Sequence, residues 1–218
     1  MIHPNTNLQF ISPQIGFGVV ATHFIPKGTI TWAADPLDQI FTPKRLHKLE
    51  PVFQNIVDTY SYRDNAGNFI LCWDHSRFVN HSFLSNCIST AYNFEIAVRD
   101  IIAGEELTDD YGYLNLTEPF NCIPEAGSSR KQALPDDLLN FYPFWDEQLR
   151  QAFAVFNNVE QPLAGLIEKR NQKKVYEVSH NPLLMDSILQ CYYSSSKSIS
   201  ESPFKSNMNG ILTSDKTA

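Results

Sequence analysis

A chain of 218 residues, of which 43% are apolar, can bury a packed interior, so its composition excludes disorder over the whole length. No run approaches the roughly eighteen apolar residues of a membrane-spanning helix, and the first residues lack the basic start and apolar core of a secretory signal. We therefore expect an intracellular protein without membrane association, located in the cytoplasm or, in a eukaryote, in the nucleus.

The net charge of -7 lies mainly in the N-terminal half of the chain. Residues 1–114 contain seven Lys and Arg but twelve Asp and Glu, a balance that repels a phosphate backbone and attracts a basic peptide. Solvated surface carboxylates explain the same counts more simply. On either interpretation we expect no direct nucleic-acid binding, and the sequence does not indicate an oligomeric state.

The first predicted elements are strands and short helices. The segment from Gly16 to Trp32 contains two apolar runs separated by Pro26-Lys27-Gly28, which predicts a hairpin. Residues 42–58 predict one or two short helices interrupted at Pro51, because proline lacks a backbone donor. A turn at residues 65–68 then precedes an apolar strand that begins at Phe69.

Strand-like text continues through Ala97 and is followed by a turn at Ala103-Gly104. Beyond residue 115 the pattern becomes helical. We predict a helix that begins near Pro135 and contains Pro143, with Asp136 and Asp137 complementing the helix dipole, followed by helices over Gln161–Lys169 and Pro182–Tyr193. The Ser-, Lys- and Asn-rich residues 194–218 are expected to be disordered. The predicted organisation is therefore a domain over 1–120, a helical segment over 121–193 and a tail.

The four cysteines, Cys72, Cys87, Cys122 and Cys191, contain no closely spaced pair. This spacing argues against a disulfide framework and against a zinc knuckle. We expect them to be free thiols, mostly buried.

Three segments carry the functional signal, in this order along the chain. They are Ile15-Gly16-Phe17-Gly18, the stretch RFVNHSFLSNC over residues 77–87, and GEELTDDYG over residues 104–112. The middle stretch neither alternates like a strand nor repeats like a helix. Together the three resemble the SET-domain protein-lysine methyltransferases, over roughly residues 10–120.

The resemblance implies a fold that is mainly β with α. In this fold several small sheets form a β-clip, the NHS segment and the segment before Tyr111 thread past each other as a pseudoknot, and a C-terminal helical segment follows. Such threading is an exception to the usual rules of chain topology. The irregular stretch would then wrap a ligand instead of completing a sheet.

The resemblance also implies the reaction and its cofactor. A methyl group would pass from S-adenosylmethionine to the ε-amine of a lysine in a basic segment of a histone or another protein. This is an in-line displacement, so the protein must orient an uncharged amine and exclude water, without forming a covalent intermediate.

Site residues carry over from the family motifs as follows. Tyr111 is the candidate catalytic residue, and Tyr60 and Tyr113 are candidates for the lysine channel. The candidate cofactor contacts are Gly16, Phe17, Gly18, Tyr62, Arg77, Asn80, His81 and Tyr111. Three plainer interpretations stay open: a strand bulge for the glycines, a pseudoknot anchor for Arg77, and aromatic packing for Tyr113. Glu105 and Glu106 are interpreted as turn residues.

The sequence departs from the family pattern in three places. Asp109 stands where many relatives have an aromatic residue, and it would either alter the lysine channel or face solvent. Phe83 replaces the cysteine of NHSC. The zinc-binding cysteines that follow the domain in some relatives are missing, so we expect no structural metal. Four aromatic residues could instead cover the site or form an ordinary core stripe: Phe141, Tyr142, Phe144 and Trp145.

Two other functional classes compete with the methyltransferase hypothesis. A catalytically inactive SET-fold interaction module would keep the fold without the reaction. A metal-dependent hydrolase built on His75, His81 and nearby acids is disfavoured, because their spacing does not place ligands together on one regular face.

Overall fold

The computed structural model describes residues 1–194, and the strands in that part of the chain are short. They are β1 (Thr6–Ser12), β2 (Gly16–Ala21), β3 (Ile30–Ala33), β4 (Gln39–Phe41), β5 (Ser61–Arg63), β6 (Phe69–Leu71), β7 (Asn80–His81), β8 (Cys87–Ser89), β9 (Phe94–Ala97), β10 (Glu106–Asp109), β11 (Phe120–Asn121) and β12 (Gln132–Ala133). The predicted disordered tail, apart from its first residue, lies outside the described residues.

The α-helices are α1 (Pro43–Leu46), α2 (Pro51–Tyr60), α3 (Asp137–Phe153) and α4 (Lys169–His180). Pro43 and Pro51 stand in the first turn of α1 and α2, where the missing proline N–H leaves no helical bond unmade. Within the described part of the chain, no helix combines the length and apolar content that a bilayer crossing requires.

The strands form four small sheets with the orders β1-β2-β10-β7, β3-β9-β8, β4-β6-β5 and β11-β12. The hairpin of β5 and β6 turns at the predicted residues, with Gly67 at a φ of 82°. Gly104 has a φ of 88° in the predicted turn before β10. The predicted fold class, mainly β with helices, is confirmed.

The predicted hairpin over Gly16–Trp32 is wrong. β2 pairs with β1 and β10, whereas β3 pairs with β9 in a different sheet. All four residues of β3 and the last four of β2 are buried, so both strands have protein on each side. Apolar runs of this kind fit strands that are sandwiched between layers, and a local turn signal cannot reveal that the chain changes sheets.

The last two predicted helices also need correction. Gln161–Lys169 contains only a short 3-10 turn, Ala164–Leu166, and Pro182–Tyr193 contains two such turns, Pro182–Leu184 and Ile188–Cys191. The actual helix, α4, is polar and buries only Val175 and Val178. Its apolar stripe is therefore too narrow to stand out in the sequence.

The C-terminal helices pack on the preceding strands and share their core. Trp145, Leu149 and Phe153 of α3 belong to the same buried cluster as Phe94 and Ile96 of β9. The rings of Phe94 and Phe153 lie 6.2 Å apart. This packing covers one face of the β3-β9-β8 sheet.

A parallel pairing between β7 and β10 joins the NHS segment to the segment before Tyr111. Asn80 pairs with Thr108 and His81 with Asp109, and the Ser82 amide donates to the carbonyl of Asp109 at 2.9 Å. Parallel strands need a crossover, and here the crossover carries β8 and β9. The NHS segment and the segment before Tyr111 therefore lie side by side, as the resemblance implied.

The side chain of Asn86 extends this pairing. It is fully buried, its Nδ2 donates to the Glu106 carbonyl at 2.8 Å, and its Oδ1 accepts from the Thr108 amide at 2.9 Å. The carboxamide thus replaces a neighbouring strand along one edge of β10.

Replacing Asn86 with Ala should strongly destabilise the protein. The change leaves one buried amide and one buried carbonyl of β10 without partners, at about 1–3 kcal/mol each. We expect a loss of about 2–5 kcal/mol in the free energy of unfolding, measured by urea denaturation. Asn7→Ala, at an exposed position of β1, is the control. Equal stability of the two variants would contradict a role for Asn86 in holding the strands.

Candidate active site

The Gly16-Phe17-Gly18 segment opens β2 and is clamped to the NHS segment. The Asn80 Nδ2 donates to the Phe17 carbonyl at 2.9 Å and to Glu106 Oε1 at 2.6 Å. A Cβ on Gly18 would lie 2.1 Å from that Glu106 oxygen and 2.8 Å from Asn80 Nδ2. Gly18 is therefore required for the close approach of β2 to β7 and β10, and Glu106 contributes to this packing.

Gly16 serves a different purpose. Its φ is 85°, a left-handed conformation that favours glycine, and no atom lies within 4 Å of the position that a Cβ would take. The backbone at Gly16 is therefore open to the outside, while Gly18 is closed against the protein.

Tyr111 is the second residue after β10, and both its backbone amide and its hydroxyl are hydrogen-bonded. Its amide donates to His81 Nδ1 at 3.1 Å, and its hydroxyl donates to the Val79 carbonyl at 2.9 Å. Burial raises the pKa of the Tyr111 hydroxyl above its usual range. The hydroxyl therefore stays protonated and acts as a hydrogen-bond donor or dipole, not as a base.

His81 is held as a neutral ring. Because Nδ1 accepts from Tyr111, the proton resides on Nε2, which is buried without a hydrogen-bond partner among the described residues. Burial and, secondarily, the charge of Arg130 lower the pKa of His81 to about 4. The ring packs against Phe83, with centroids 4.3 Å apart, and against Tyr111 at 5.2 Å.

A cavity of about 370 Å³ lies beside Tyr111. Of the residues predicted from the sequence, Tyr60, Tyr62, Arg77 and Tyr111 border it. Exposed residues such as Asp58 and Thr59 mark its mouth. Its inner end is lined by buried residues, which are Trp32, Cys72 and Asp109.

The mouth of the cavity connects to the glycine segment through aromatic side chains. The ring of Tyr60 lies 5.3 Å from that of Phe78, and Phe78 lies 6.5 Å from Phe17. Phe17 and Tyr60 are 51% and 38% exposed. An aromatic surface therefore runs from the open backbone at Gly16 to the cavity.

Two predicted roles are not supported by the geometry. Arg77 does not anchor the pseudoknot: it is exposed, lies 5.2 Å from the Phe78 ring, and makes no hydrogen bond or ion pair within the described residues. Tyr113 does not border the cavity beside Tyr111 but a smaller one of about 110 Å³. It is buried behind Asp109, with its hydroxyl 3.1 Å from Asp109 Oδ1 and 3.0 Å from the Cys87 carbonyl.

Asp109 and Glu95 give the cavity an acidic inner end. Asp109 is only 5% exposed and borders the cavity, so the alternative that it faces solvent is wrong. Glu95, which sequence reasoning missed, borders the same cavity from β9. The available signal was one charged residue in an apolar strand, FEIA, which commonly indicates only a solvent-facing position.

The C-terminal segment reaches the site through Arg130, which forms ion pairs with both Asp110 and Asp137. Its guanidinium lies 4.3 Å from the Phe83 ring and 4.5 Å from the Phe141 ring. Phe83, at the position of the expected cysteine, thus packs on both His81 and Arg130. The residue after β10 is thereby tied to the start of α3.

The four aromatic residues proposed as a cover do not border the cavity. Trp145 is 1% exposed and belongs to the core, whereas Phe144 is 56% exposed, so the alternative of an amphipathic stripe holds. Phe120 borders the cavity instead, with its ring 5.2 Å from that of Tyr111.

All four cysteines are free; Cys72 and Cys87 are buried, and Cys122 and Cys191 are partly buried. Over residues 1–194, no group of three or more His, Cys, Asp or Glu is placed to hold a metal ion. His75 Nε2 is engaged with Thr6 Oγ1 at 2.9 Å, which further disfavours the hydrolase hypothesis.

The family model of the SET domain matches residues 16–112. This chain is a SET-domain protein. The matched range runs from the open glycine of β2 to Gly112, and so contains the whole clamp of Asn80, His81 and Tyr111. The comparison with curated proteins found no match. The resemblance drawn from the three sequence segments is confirmed at the level of the domain.

Replacing Gly18 with Ala should destabilise the SET domain. The Cβ would displace Glu106 and Asn80, whose side chains are pinned by their mutual hydrogen bond. We expect a loss of about 1–3 kcal/mol in the free energy of unfolding, measured by urea denaturation. Gly165→Ala, where no atom lies within 4 Å of the added Cβ, should change it by less than about 0.5 kcal/mol. A Gly18→Ala variant with the same free energy of unfolding as the wild type would contradict the close packing around Gly18.

The acidic inner end of the cavity predicts a pH-dependent stability. Burial raises the pKa of Glu95 from 4.5 to about 7 and that of Asp109 well above its usual range. At these two carboxyl groups the folded protein binds more protons than the unfolded chain, so the stability that they contribute falls as the pH rises between about 4.5 and 7. The lowered pKa of His81 acts in the opposite direction, so the contribution of Glu95 is read from the difference between a variant and the wild type.

Glu95→Gln removes one of the two titrating carboxyl groups and should therefore reduce the fall in stability with rising pH. The Tm of the variant, measured by calorimetry, should gain on that of the wild type as the pH rises from about 5 to about 8. Glu177→Gln, on the surface of α4, is the control and should follow the wild type. Parallel curves for Glu95→Gln and the wild type would show that Glu95 titrates normally.

Proposed function

We propose that this chain is a protein-lysine N-methyltransferase that uses S-adenosylmethionine. The observation that carries the proposal is that Tyr111, Tyr60 and Tyr62 border one cavity. Tyr111 is held there by hydrogen bonds to Val79 and His81. These residues come from three separated segments of the chain. SET domains are generally methyltransferases, and the cavity supports extending that activity to this chain.

The residues present fit an S-adenosylmethionine group. The open backbone at Gly16 leaves room for a ligand. The buried Nε2 of His81, which has no hydrogen-bond partner within residues 1–194, offers a donor. When bound, the group supplies a methyl carbon attached to a sulfonium, which is an electrophile. The residues that would hold it are Gly16, Phe17, Gly18, Tyr62, Arg77, Asn80, His81 and Tyr111.

The local contacts refine two of these roles. The Asn80 amide nitrogen is already engaged with Phe17 and Glu106, so a cofactor contact of this side chain would use its carbonyl oxygen. Arg77 lies free at the cavity mouth and can turn toward an anionic group such as a carboxylate.

The cavity walls would act on the lysine. Aromatic side chains of Trp32, Tyr62 and Phe120 keep water away from the amine, which disfavours its charged form. The Tyr111 hydroxyl, fixed by its bond to Val79, presents an oriented dipole to the reacting atoms. Alignment of this kind is worth about 7–11 kcal/mol in favourable cases.

The charge distribution supports a basic substrate segment. Asp58 lies exposed at the mouth of the cavity, within the acidic N-terminal half of the chain. A histone or another protein with a basic, lysine-containing segment fits this surface, and a nucleic acid does not. An intracellular location, cytoplasmic or nuclear, belongs to the same proposal.

Incubation of the protein with methyl-labelled S-adenosylmethionine and a mixture of basic proteins should label lysine. Tyr111→Phe should lower the rate by about 100-fold, because it removes one oriented hydroxyl from the site, while cofactor affinity measured by calorimetry changes little. Tyr176→Phe, at a position that is 66% exposed, is the control.

The outcomes separate the competing functions. Labelling that persists in Tyr111→Phe would refute the catalytic role of this tyrosine. Cofactor binding by the wild type without transfer to any lysine would instead support an inactive interaction module.

A further inference from the structure

Two carboxyl groups meet at the inner end of the cavity. Glu95 comes from β9 and Asp109 from β10, which belong to different sheets. Burial and, after it, the negative charge of Glu95 raise the pKa of Asp109, so a pair that holds at least one proton is favoured over two carboxylates. Both residues border the cavity that contains Tyr111.

Neutral donors hold the pair in place. Ser89 Oγ donates to Glu95 Oε1 at 2.9 Å, and the Tyr113 hydroxyl lies 3.1 Å from Asp109 Oδ1. No Lys, Arg or His of residues 1–194 forms an ion pair with either carboxyl. The buried Asp110 and Asp137 are matched by Arg130, whereas the buried Asp146 accepts from the Ile188 amide and has no ion pair within residues 1–194. Unlike Asp146, however, Glu95 and Asp109 border a cavity, where a cation from outside the protein could reach them.

A second polar group at the same place also lacks a partner. Trp32 lies opposite Glu95 in the β3–β9 register and borders the cavity. It is only 7% exposed, and its Nε1 has no acceptor among the described residues. A buried donor without a partner is costly. This end of the cavity therefore fits a ligand that brings a positive charge to the carboxyl pair, together with an acceptor or a water molecule for Trp32 Nε1.

We propose that the pair of Glu95 and Asp109 receives the ε-ammonium group of the substrate lysine and takes one proton from it before methyl transfer. The inference rests on the proposed function. An N–H bond breaks and an O–H bond forms on the carboxylate. The freed nitrogen lone pair then bonds the methyl carbon as the carbon–sulfur bond breaks, leaving a methylammonium and a thioether. The carboxyl later returns its proton to water.

The environment favours this proton transfer. In water a lysine ammonium is a weaker acid than a carboxyl group by about six pKa units. Proton transfer from the ammonium to a carboxylate is therefore unfavourable there. In the aromatic cavity, moving the proton turns two buried opposite charges into two neutral groups, which cost less to bury. Burial also raises the pKa of Glu95 to about 7, close to the pH at which a general base works best.

Binding of a small cation tests the site without turnover. In NMR titrations, n-butylammonium, which reproduces the end of the lysine side chain, should bind the wild type at least about tenfold more tightly than butan-1-ol near pH 8. This preference should shrink toward about pH 5, as the carboxylate takes up a proton. Glu95→Gln should lose the preference. Equal binding of the two probes to the wild type would overturn the inference.

The kinetic test uses the labelling assay across pH. In the wild type, kcat should rise with pH up to the region of the Glu95 pKa, because the base must be ionised. Glu95→Gln should lower kcat by about 100-fold and remove this rise, with cofactor affinity unchanged by calorimetry. Asp109→Asn should reproduce the loss, and Glu177→Gln should retain the wild-type rate and profile.

The results distinguish this inference from the proposed function. If the wild type labels lysine and Glu95→Gln keeps both its rate and its pH profile, the pair is only a structural link between β9 and β10, and the methyltransferase proposal stands. If the wild type labels no lysine, the proposed function fails and the role of the pair as a base fails with it.

Discussion

The site depends on the parallel pairing of β7 with β10. Only two residue pairs form this contact, so it needs the support of the buried Asn86 carboxamide, which bonds both a carbonyl and an amide of β10. His81 ends one strand and Tyr111 follows the other. Their hydrogen bond, and the bond from Tyr111 to Val79, are possible only while the two strands stay in register.

Two pairs of acidic side chains in this protein differ in whether a cation compensates their charge. Asp110 and Asp137 share Arg130, and their charges are compensated within the protein. Glu95 and Asp109 form no ion pair within residues 1–194 and are hydrogen-bonded instead to the hydroxyl groups of Ser89 and Tyr113. Leaving a buried charge without a counterion is costly. The uncompensated pair borders the cavity that contains Tyr111, and this position is the basis of the proposal that the pair receives a cationic group.

The C-terminal helices support the site from behind and do not cover it. Trp145 packs on Tyr113, with ring centroids 5.3 Å apart, and Tyr113 in turn contacts Asp109. Arg130, stacked between Phe83 and Phe141, ties the turn after β10 to α3. The helical segment thus fixes two acidic residues that follow one another, Asp109 facing the cavity and Asp110 facing the salt bridge.

By itself, the sequence determined the family, the mainly β class and the segments that meet at the site, because the motif residues near Gly18, Asn80 and Tyr111 must keep their identities for the strands to approach. The tertiary structure alone decided that β2 and β3 lie in different sheets and that Glu95 faces a cavity. Pairing between distant strands depends on contacts that no local pattern encodes. A single acid in a short strand looks the same in sequence whether its side chain meets solvent or Asp109.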